Sequence, residues 1–443
     1  MSTNTSYFNI ATQKVYNGNY EAAIQTVKDG KETIYKRKDR VMYYLDLGML
    51  QHYSGSYDDS NYSLTSAERS IEENFTKSIS QEALSFVTND NIKDYSGEDY
   101  EDIYLNLFKA LNFANLKQIE DAFVEIHRVN HKLNKLEDKY ADLSKRLNSS
   151  KDAKLKVTST ESKFHNSALA RYISMLLYRN DRKWDDARID ANKFAEAWKY
   201  QPEVYDFSQP DISASLDESI DGRLNILCFS GKSPEKTSKT WWIRTFNDYL
   251  FIAHSREELN GNNQLDQFIS FYYPDITDNL FFKFEVPEIR SRPTKINSIE
   301  ILIDGKLYKP ELIENFDNVA TQTFELKKNI IYIKTIVRTV TKGILAKKTK
   351  DKMNNQFAEN PLLGALAGIA TDAALSATEN ADQRISHFFP KLAHIAEIPL
   401  PLGLHSVKIN YLDKYGNLLF SDDHGNVHVA SNELNLVESF CLQ

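Results

Sequence analysis

One group of polar residues in the first half of the chain surrounds a connection between two predicted helices. It consists of FTKSIS at 75–80, TNDN at 88–91 and YSGEDY at 95–100. Asn and Asp side chains cap helices by accepting backbone N–H bonds, so the expected structural role is to order this connection. The same side chains could contact a peptide or ligand on the concave face of a helical repeat. The candidate partner-binding residues are Lys77, Ser78, Asn89, Asp90, Asn91, Tyr95, Glu98 and Asp99.

A second candidate for binding is the uncharged stretch PLLGALAGIAT at 361–371. Asn360-Pro361 is typical of a helix start, and the stretch has two glycines four residues apart, which lets two helices approach closely. It is shorter than the roughly 20 apolar residues of a bilayer span. Such a helix could dock a protein partner, pair with another copy, contact a membrane surface beside the preceding lysine-rich helix, or be buried in the core. The candidate residues are Leu363, Gly364, Leu366 and Gly368.

Catalytic and metal-binding motifs give no positive signal. The sequence contains no phosphate loop, nucleophile elbow or His-Glu metal motif. His127 and His131 are four residues apart on a predicted helix, but the sequence places no third metal ligand beside them. We therefore predict a protein without enzymatic activity, cofactor or metal, with an enzyme of unrecognised site as an alternative.

The chain has only two cysteines, Cys228 and Cys441, which excludes a disulfide scaffold and a multi-cysteine metal site. Both lie in strand-like segments of the second half, so a single bridge could form in an oxidising compartment. Two buried free thiols are the interpretation that the sequence alone favours.

Composition restricts the class of partner. The 443 residues include 54 Lys and Arg against 62 Asp and Glu, a formal net charge of −8. This balance disfavours nucleic acid, because phosphate contacts require clustered cations. With 41% hydrophobic residues and roughly 100 to 200 residues per domain, the chain can form two or three packed domains. The low content of Gly and Pro favours long helices.

The elements that must position these residues begin with a helical repeat. Gly18-Asn19-Tyr20 and Gly55-Ser56-Tyr57 are 37 residues apart, close to the repeat length of about 34 residues in tetratricopeptide helix–turn–helix units. Looser copies occur at 116–122 and 181–187. Apolar residues spaced by three and four between 104 and 136 predict helices. We therefore expect a tetratricopeptide-like α-helical repeat, or solenoid, over residues 1–205.

The pattern changes after a proline-containing linker at 206–222. Short β-branched and aromatic segments predict strands at 223–229, 280–286, 295–303, 323–326 and 405–411. Asp304-Gly305 and residues 415–417 predict hairpin turns. Residues from about 330 to 388 interrupt this pattern as a helical hairpin. The predicted fold class is a multidomain α+β protein, with a β-sandwich-like domain at 223–443.

Several blocks of the sequence resemble a largely uncharacterised family of bacterial envelope lipoproteins with tetratricopeptide-like N-terminal helices. They include YYLDLGMLQHYSGSYDDSN at 43–61, FTKSIS, TNDN, YSGEDYE, and ADQRISHFFPKLAHIAEIPLPLGLHSV at 381–407. The resemblance covers most of the chain and implies a periplasmic protein that is lipid-anchored to the outer membrane. In an oxidising envelope the bridge between Cys228 and Cys441 would be favoured.

The start of the chain departs from the family pattern. Members carry a lipobox cysteine, whereas this sequence begins MSTNTSYFNI. We therefore expect Met1 to replace the lipidated cysteine of a mature chain. If Met1 is the natural start, a cytoplasmic location is the alternative.

The predicted function is a non-enzymatic scaffold or adaptor of the envelope. It would dock protein partners through its helical repeat and its apolar helix, in cell-wall synthesis or another envelope machine. Genes of the family often lie beside those for small lipoproteins similar to activators of penicillin-binding proteins. The alternative function is a periplasmic binding module for a peptide, glycan or lipid.

Overall fold

The computed structural model describes residues 3–82, 93–149, 156–158, 160–257, 263–274, 276, 278–356 and 380–443. Helices fill the first half of the chain and strands dominate the second, as predicted. The first eight helices are α1 (Thr3–Tyr16), α2 (Tyr20–Asp29), α3 (Arg40–Tyr53), α4 (Tyr57–Glu82), α5 (Asp99–Asn115), α6 (Ile119–Asn148), α7 (Ala168–Asn180) and α8 (Trp184–Tyr200).

These eight helices form four hairpins whose turns lie where the sequence predicts them. The turn of each hairpin contains one residue with a positive φ, at Gly18 (69°), Gly55 (77°), Lys117 (59°) and Arg182 (56°). A residue in the left-handed region reverses the chain directly after a helix, and glycine adopts this conformation without a Cβ clash. The two later turns use basic residues in the same conformation. Four similar turns therefore explain the repeated signal in the sequence.

The second half contains twelve described strands in three four-stranded sheets. The strands are β1 (Arg223–Lys232), β2 (Glu235–Phe246), β3 (Tyr249–Glu257), β4 (Asn263–Tyr272), β5 (Phe281–Arg290), β6 (Ser298–Ile303), β7 (Lys306–Tyr308), β8 (Glu311–Asn315), β9 (Pro390–Pro399), β10 (Gly403–Leu412), β11 (Leu418–Val429) and β12 (Leu436–Cys441). Their spatial orders are β12-β1-β9-β8 in the first sheet, β11-β10-β6-β7 in the second and β4-β3-β2-β5 in the third.

The first sheet is buried on both faces. On one face of β1, Ile226 and Cys228 join a cluster with Ile409 and Tyr411 of the second sheet. On the other face, the Phe229 ring packs 5.4 Å from that of Phe108 on α5. Burial on both faces explains why β1 is a nearly continuous apolar run.

The two cysteines lie on the neighbouring parallel strands β1 and β12. Cys228 pairs with Ser439, and Cys441 pairs with Ser230. Both thiols are free and buried in the structure.

The longest helix, α9 (Phe316–Gln356), differs from the sequence prediction at its start. The expected strand at 323–326 is wrong, and the helical segment begins at Phe316 rather than near residue 330. The Asn315 side chain accepts hydrogen bonds from the backbone N–H groups of Asp317 and Asn318, and so caps the helix. This cap and the burial of Val319 outweigh the weak strand propensity of the segment. The expected second helix of the hairpin lies outside the described residues.

The two halves share one continuous hydrophobic core. The ring of Phe108 on α5 lies within 6.5 Å of the rings of Phe229, Phe316 and Phe389, all from the second half. The linker at 206–222 therefore separates the first eight helices from the β-rich half along the chain, while the two halves pack directly against each other.

Candidate functional site

A cavity of about 480 Å³ lies where the helical half meets the β-rich half. We call it the charged pocket. Its walls come from the C-terminal part of α4, residues 93–99, α6, α9, residues 380–384 and the strands β2 and β5. Four of the residues proposed from the sequence, Lys77, Tyr95, Glu98 and Asp99, line it together.

The start of α5 fixes two acidic residues at the wall of the pocket. The Glu101 carboxylate accepts a hydrogen bond from the Glu98 backbone N–H at 2.7 Å, which holds the chain as it enters the helix. Glu98 and Asp99 therefore project from a helix N-terminus, where the helix dipole favours negative charge. Tyr95 is anchored just before them, because its carbonyl accepts a 2.8 Å bond from the Asn74 amide.

Ion pairs with lysines hold both of these buried acids. Lys236 from β2 and Lys327 from α9 each place an Nζ atom 2.7 Å from a carboxylate oxygen of Glu98. Asp99 accepts bonds from Lys139 Nζ at 2.7 Å and from the Tyr140 hydroxyl at 2.5 Å. Although burial opposes ionisation, Lys139 and Lys327 lower the pKa of Asp99 to about 2. This wall is therefore a fixed arrangement of charges supplied by both halves.

A carboxyl group behind this wall titrates near neutral pH. Burial and the neighbouring Glu98 raise the pKa of Glu101 to about 7, despite hydrogen bonds to its carboxylate. The Tyr95 hydroxyl donates to it at 2.7 Å, and so does the Ser386 backbone N–H at 2.5 Å. Glu101 thus links the start of α5 to the segment that leads into β9.

Basic side chains outnumber acidic ones among the described lining residues, by eight to six. The basic residues are Lys77, Lys93, Lys139, Lys236, Lys327, Lys334, Arg338 and Arg384, and the acidic ones are Asp94, Glu98, Asp99, Asp102, Glu285 and Asp382. This excess contrasts with the net charge of −8 of the whole chain. The pocket therefore favours an anionic group over a cationic one.

The position of the basic residues suggests a deep and a shallow region. Lys334 and Arg338 are buried on α9, whereas Lys77 is exposed at the rim and Lys93 is half-buried. Arg384 is held by Asp382 at 2.8 Å, and its guanidinium lies 5.3 Å from the Tyr95 ring centre. An anionic ligand would meet the exposed Lys77 first and the buried cations further inside.

One cluster of residues has the side-chain types of a hydrolase but not the hydrogen bonds. The buried Asp46 carboxylate accepts bonds from the Ser386 hydroxyl and from His387 Nδ1, both at 2.8 Å. A serine nucleophile must instead bond to the histidine that activates it. The stacking of the His387 ring on Phe8, with 3.7 Å between ring centres, also fits a packing role.

The described residues contain neither a metal-binding cluster nor a membrane-spanning helix. Within them, no group of three or more His, Cys, Asp and Glu side chains could hold a metal ion. His127 and His131 both lie exposed on α6. None of the described helices is long and apolar enough to cross a membrane.

The structure does not describe the side chains of the remaining candidates from the sequence, so none of them is assigned to the pocket. Ser78 lies on α4, and the structure does not describe its side chain. Asn89, Asp90 and Asn91 lie outside the described residues, as do Leu363, Gly364, Leu366 and Gly368.

Sequence reasoning missed most of the cations that complete the site. Lys236 is 138 residues from its partner Glu98 along the chain, so no local pattern could join them. The sequence of α9 does contain a pattern that could have predicted some of these cations. Lys327, Lys334 and Arg338 recur at helical spacing, which places three basic residues on one face.

No family model matches the chain, and no curated protein or solved structure shows significant similarity to it. The resemblance to envelope lipoproteins therefore stays a prediction from sequence blocks alone.

Proposed function

We propose that this protein is a non-enzymatic adaptor that binds an acidic segment of a protein partner in the charged pocket. The observation that carries the proposal is the lining of the pocket, which joins four residues suggested by the sequence to a surplus of basic side chains. A local excess of basic side chains in a cleft attracts oppositely charged partners.

The chemistry of the pocket supports binding rather than turnover. Its most buried carboxylates, those of Glu98 and Asp99, are already held by lysines, as in the contacts of Lys236 and Lys327 with Glu98. A ligand would therefore find a rigid wall whose charges need no rearrangement. Both halves contribute to this wall, so a bound partner would contact helices and strands at once.

We further propose that the four helical hairpins form a tetratricopeptide-like repeat. The equivalent positive-φ turns at Gly18, Gly55, Lys117 and Arg182 support this interpretation. Such repeats commonly present extended surfaces to protein partners. The β-rich half would then serve as a sandwich-like support for one side of the pocket.

The location that we propose is the bacterial envelope, with a lipid anchor at the N-terminus and a role in cell-wall synthesis or another envelope machine. This part of the proposal rests on the sequence resemblance. A cytoplasmic adaptor would use the same pocket.

Affinity capture from native membranes tests the proposal. The full chain is compared with a Lys77→Glu/Lys93→Glu variant, which reverses two charges at the pocket. Lys414→Glu is the matched control, because Lys414 lies on the turn between β10 and β11 and does not line the pocket. We expect one recurring partner to be lost from the double variant and kept by the control, and its capture to weaken as salt is raised. Equal capture by the double variant would refute the pocket as the docking site.

The apolar segment requires a separate test, because it is the second docking site predicted from the sequence. A Leu363→Asp/Leu366→Asp variant that remains folded should lose a partner if this segment docks one. If it keeps every partner, the docking role falls to the charged pocket alone. If it unfolds, the segment belongs to the core.

A further inference from the structure

The third sheet is apolar on both faces, which is unusual for an antiparallel sheet at a protein surface. Its inner face packs against α9. There, Ile243, Leu250 and Ile252 are buried in the same core cluster as Ile336 and Val340 of the helix. An inner apolar face of this kind accounts for the folding of the sheet. The residues of the opposite face need a different explanation.

The residues that alternate with these buried ones along the strands point to the outer face. The pairing of the strands arranges them in three rows. Phe246, Tyr249 and Tyr272 form the first row, Phe281, Arg244, Phe251 and Ser270 the second, and Lys283, Trp242, Ala253 and Phe268 the third. We call these eleven residues the aromatic face. Seven of them are aromatic, and Phe281, Tyr272 and Phe268 are 64%, 60% and 58% exposed.

The rings of the aromatic face are packed against one another across the strands. Trp242 stacks on Phe281 with 5.3 Å between ring centres, and Tyr249 meets Tyr272 edge-on at 5.5 Å. This packing fixes the rings before any partner arrives, so little side-chain entropy is lost on binding. Single exposed apolar side chains are normal, whereas a contiguous patch of this kind marks an interaction surface.

The charges on the aromatic face argue against a second copy of this face as its partner. Arg244 and Lys283 are its charged members, and Glu285 lies at its border with a carboxylate oxygen 3.9 Å from Lys283 Nζ. A second copy of this face would bring another Arg244 and another Lys283 and no carboxylate within the three rows. Self-association through the face would therefore bury like charges.

The scarcity of neutral polar groups on the aromatic face favours a lipid surface over a sugar surface as its partner. Apart from the tyrosines and Trp242, Ser270 is the one neutral side chain of the face with a hydrogen-bonding group. A sugar surface would need many partners for its hydroxyl groups. A lipid surface instead offers an apolar layer for the rings and phosphate groups for Arg244 and Lys283, and Trp and Tyr are enriched at membrane interfaces.

We propose that the aromatic face of the third sheet docks flat onto an anionic phospholipid surface. The sheet does not cross the bilayer. Its rings enter the boundary between headgroups and acyl chains, and its cations contact phosphate. This inference does not depend on the charged pocket, since none of the eleven residues lines that cavity.

Vesicle flotation with the full chain tests the inference. The probes are vesicles of phosphatidylcholine alone and vesicles that also contain phosphatidylglycerol. We compare the wild type with Phe268→Ser/Tyr272→Ser and with Arg244→Gln. Tyr62→Ser and Tyr415→Ser are matched controls, because these tyrosines are 73% and 77% exposed on other surfaces.

The wild type and both controls should float with the anionic vesicles. Removing the two rings should weaken binding by roughly tenfold or more, since each exposed ring loses apolar contact area. Arg244→Gln should weaken binding to anionic vesicles more than binding to phosphatidylcholine vesicles, because only the anionic surface carries a net negative charge. Circular dichroism should show that all variants are folded, because the altered side chains are exposed.

The inference is overturned if the wild type does not float with anionic vesicles. It is also overturned if the folded double variant floats as well as the wild type. A dimer in light scattering that the Phe268→Ser/Tyr272→Ser variant abolishes would identify a second copy as the occupant instead.

Discussion

Replacing Glu314 with alanine perturbs a joint between the two halves of the protein. The Glu314 side chain lies buried on β8 and accepts four hydrogen bonds. The hydroxyls of Tyr104, Tyr205 and Ser167 donate at 2.9, 2.8 and 3.1 Å, and the Leu169 backbone N–H donates at 2.8 Å. Since Ser167 and Leu169 lie at the start of α7, the carboxyl group ties this helix to the first sheet.

Burial raises the pKa of Glu314 to about 7, although the N–H and hydroxyl donors favour the ionised form. The unfolded chain ionises this group near its ordinary value of 4.5. Stability from the protonated carboxyl is therefore fully present below the unfolded pKa and is lost as pH rises through the folded pKa. Between pH 5 and pH 8 the loss amounts to about 2.5 kcal/mol.

Glu314→Ala removes four hydrogen bonds of roughly 1 kcal/mol each, so we expect it to cost about 4 kcal/mol at pH 5. Alanine has no carboxyl group to desolvate, so the variant escapes the loss that the wild type undergoes at higher pH. The difference between the two proteins should fall to about 1.5 kcal/mol at pH 8.

Urea unfolding followed by intrinsic fluorescence at both pH values measures this difference. Glu311→Ala is the control, because Glu311 is exposed on the same strand and its loss should change stability by less than about 0.5 kcal/mol. A cost for Glu314→Ala that is equal at the two pH values, or larger at pH 8, would refute the reasoning. It would mean that the folded protein holds Glu314 ionised.

Two further predictions concern the core. Gly343→Ala should lower the free energy of unfolding by about 1–3 kcal/mol, because a Cβ atom there would overlap the Phe282 ring; an unchanged unfolding midpoint would contradict this packing. Burial raises the pKa of Cys441 to about 11 and also raises that of Cys228, so iodoacetamide at pH 8 should alkylate both thiols only after urea unfolds the chain. Labelling that also requires a reductant would reveal a disulfide.

The sequence located part of the charged pocket because local rules govern that part. Glu98 and Asp99 belong to the polar group that is predicted to surround a connection between two helices, and they lie at the start of α5. The lysines that form ion pairs with these acids could not be predicted in the same way. Lys236 and Lys327 lie on distant elements, and only the packing of the two halves brings them within 2.7 Å of Glu98.

The errors in the predicted fold also have physical reasons. The strands β2, β3 and β4 were missed because the third sheet carries apolar residues on both faces, which removes the period-two alternation that identifies a half-buried strand. The turn at Asn247-Asp248 was the available signal, since both residues have a positive φ, as hairpin turns require. Residues 323–326 look like a short strand when they are taken alone. The cap that marks them as part of a helix is Asn315, which lies eight residues earlier.

Site-specific photo-crosslinking tests the central claim that the charged pocket holds a protein partner. A photoreactive phenylalanine analogue replaces Lys77 at the pocket rim in one protein and Lys414 on the β10–β11 turn in another, and both are irradiated in cells. We predict a discrete adduct with one partner from position 77 and none from position 414. No adduct from position 77, or the same adduct from both positions, would contradict the claim.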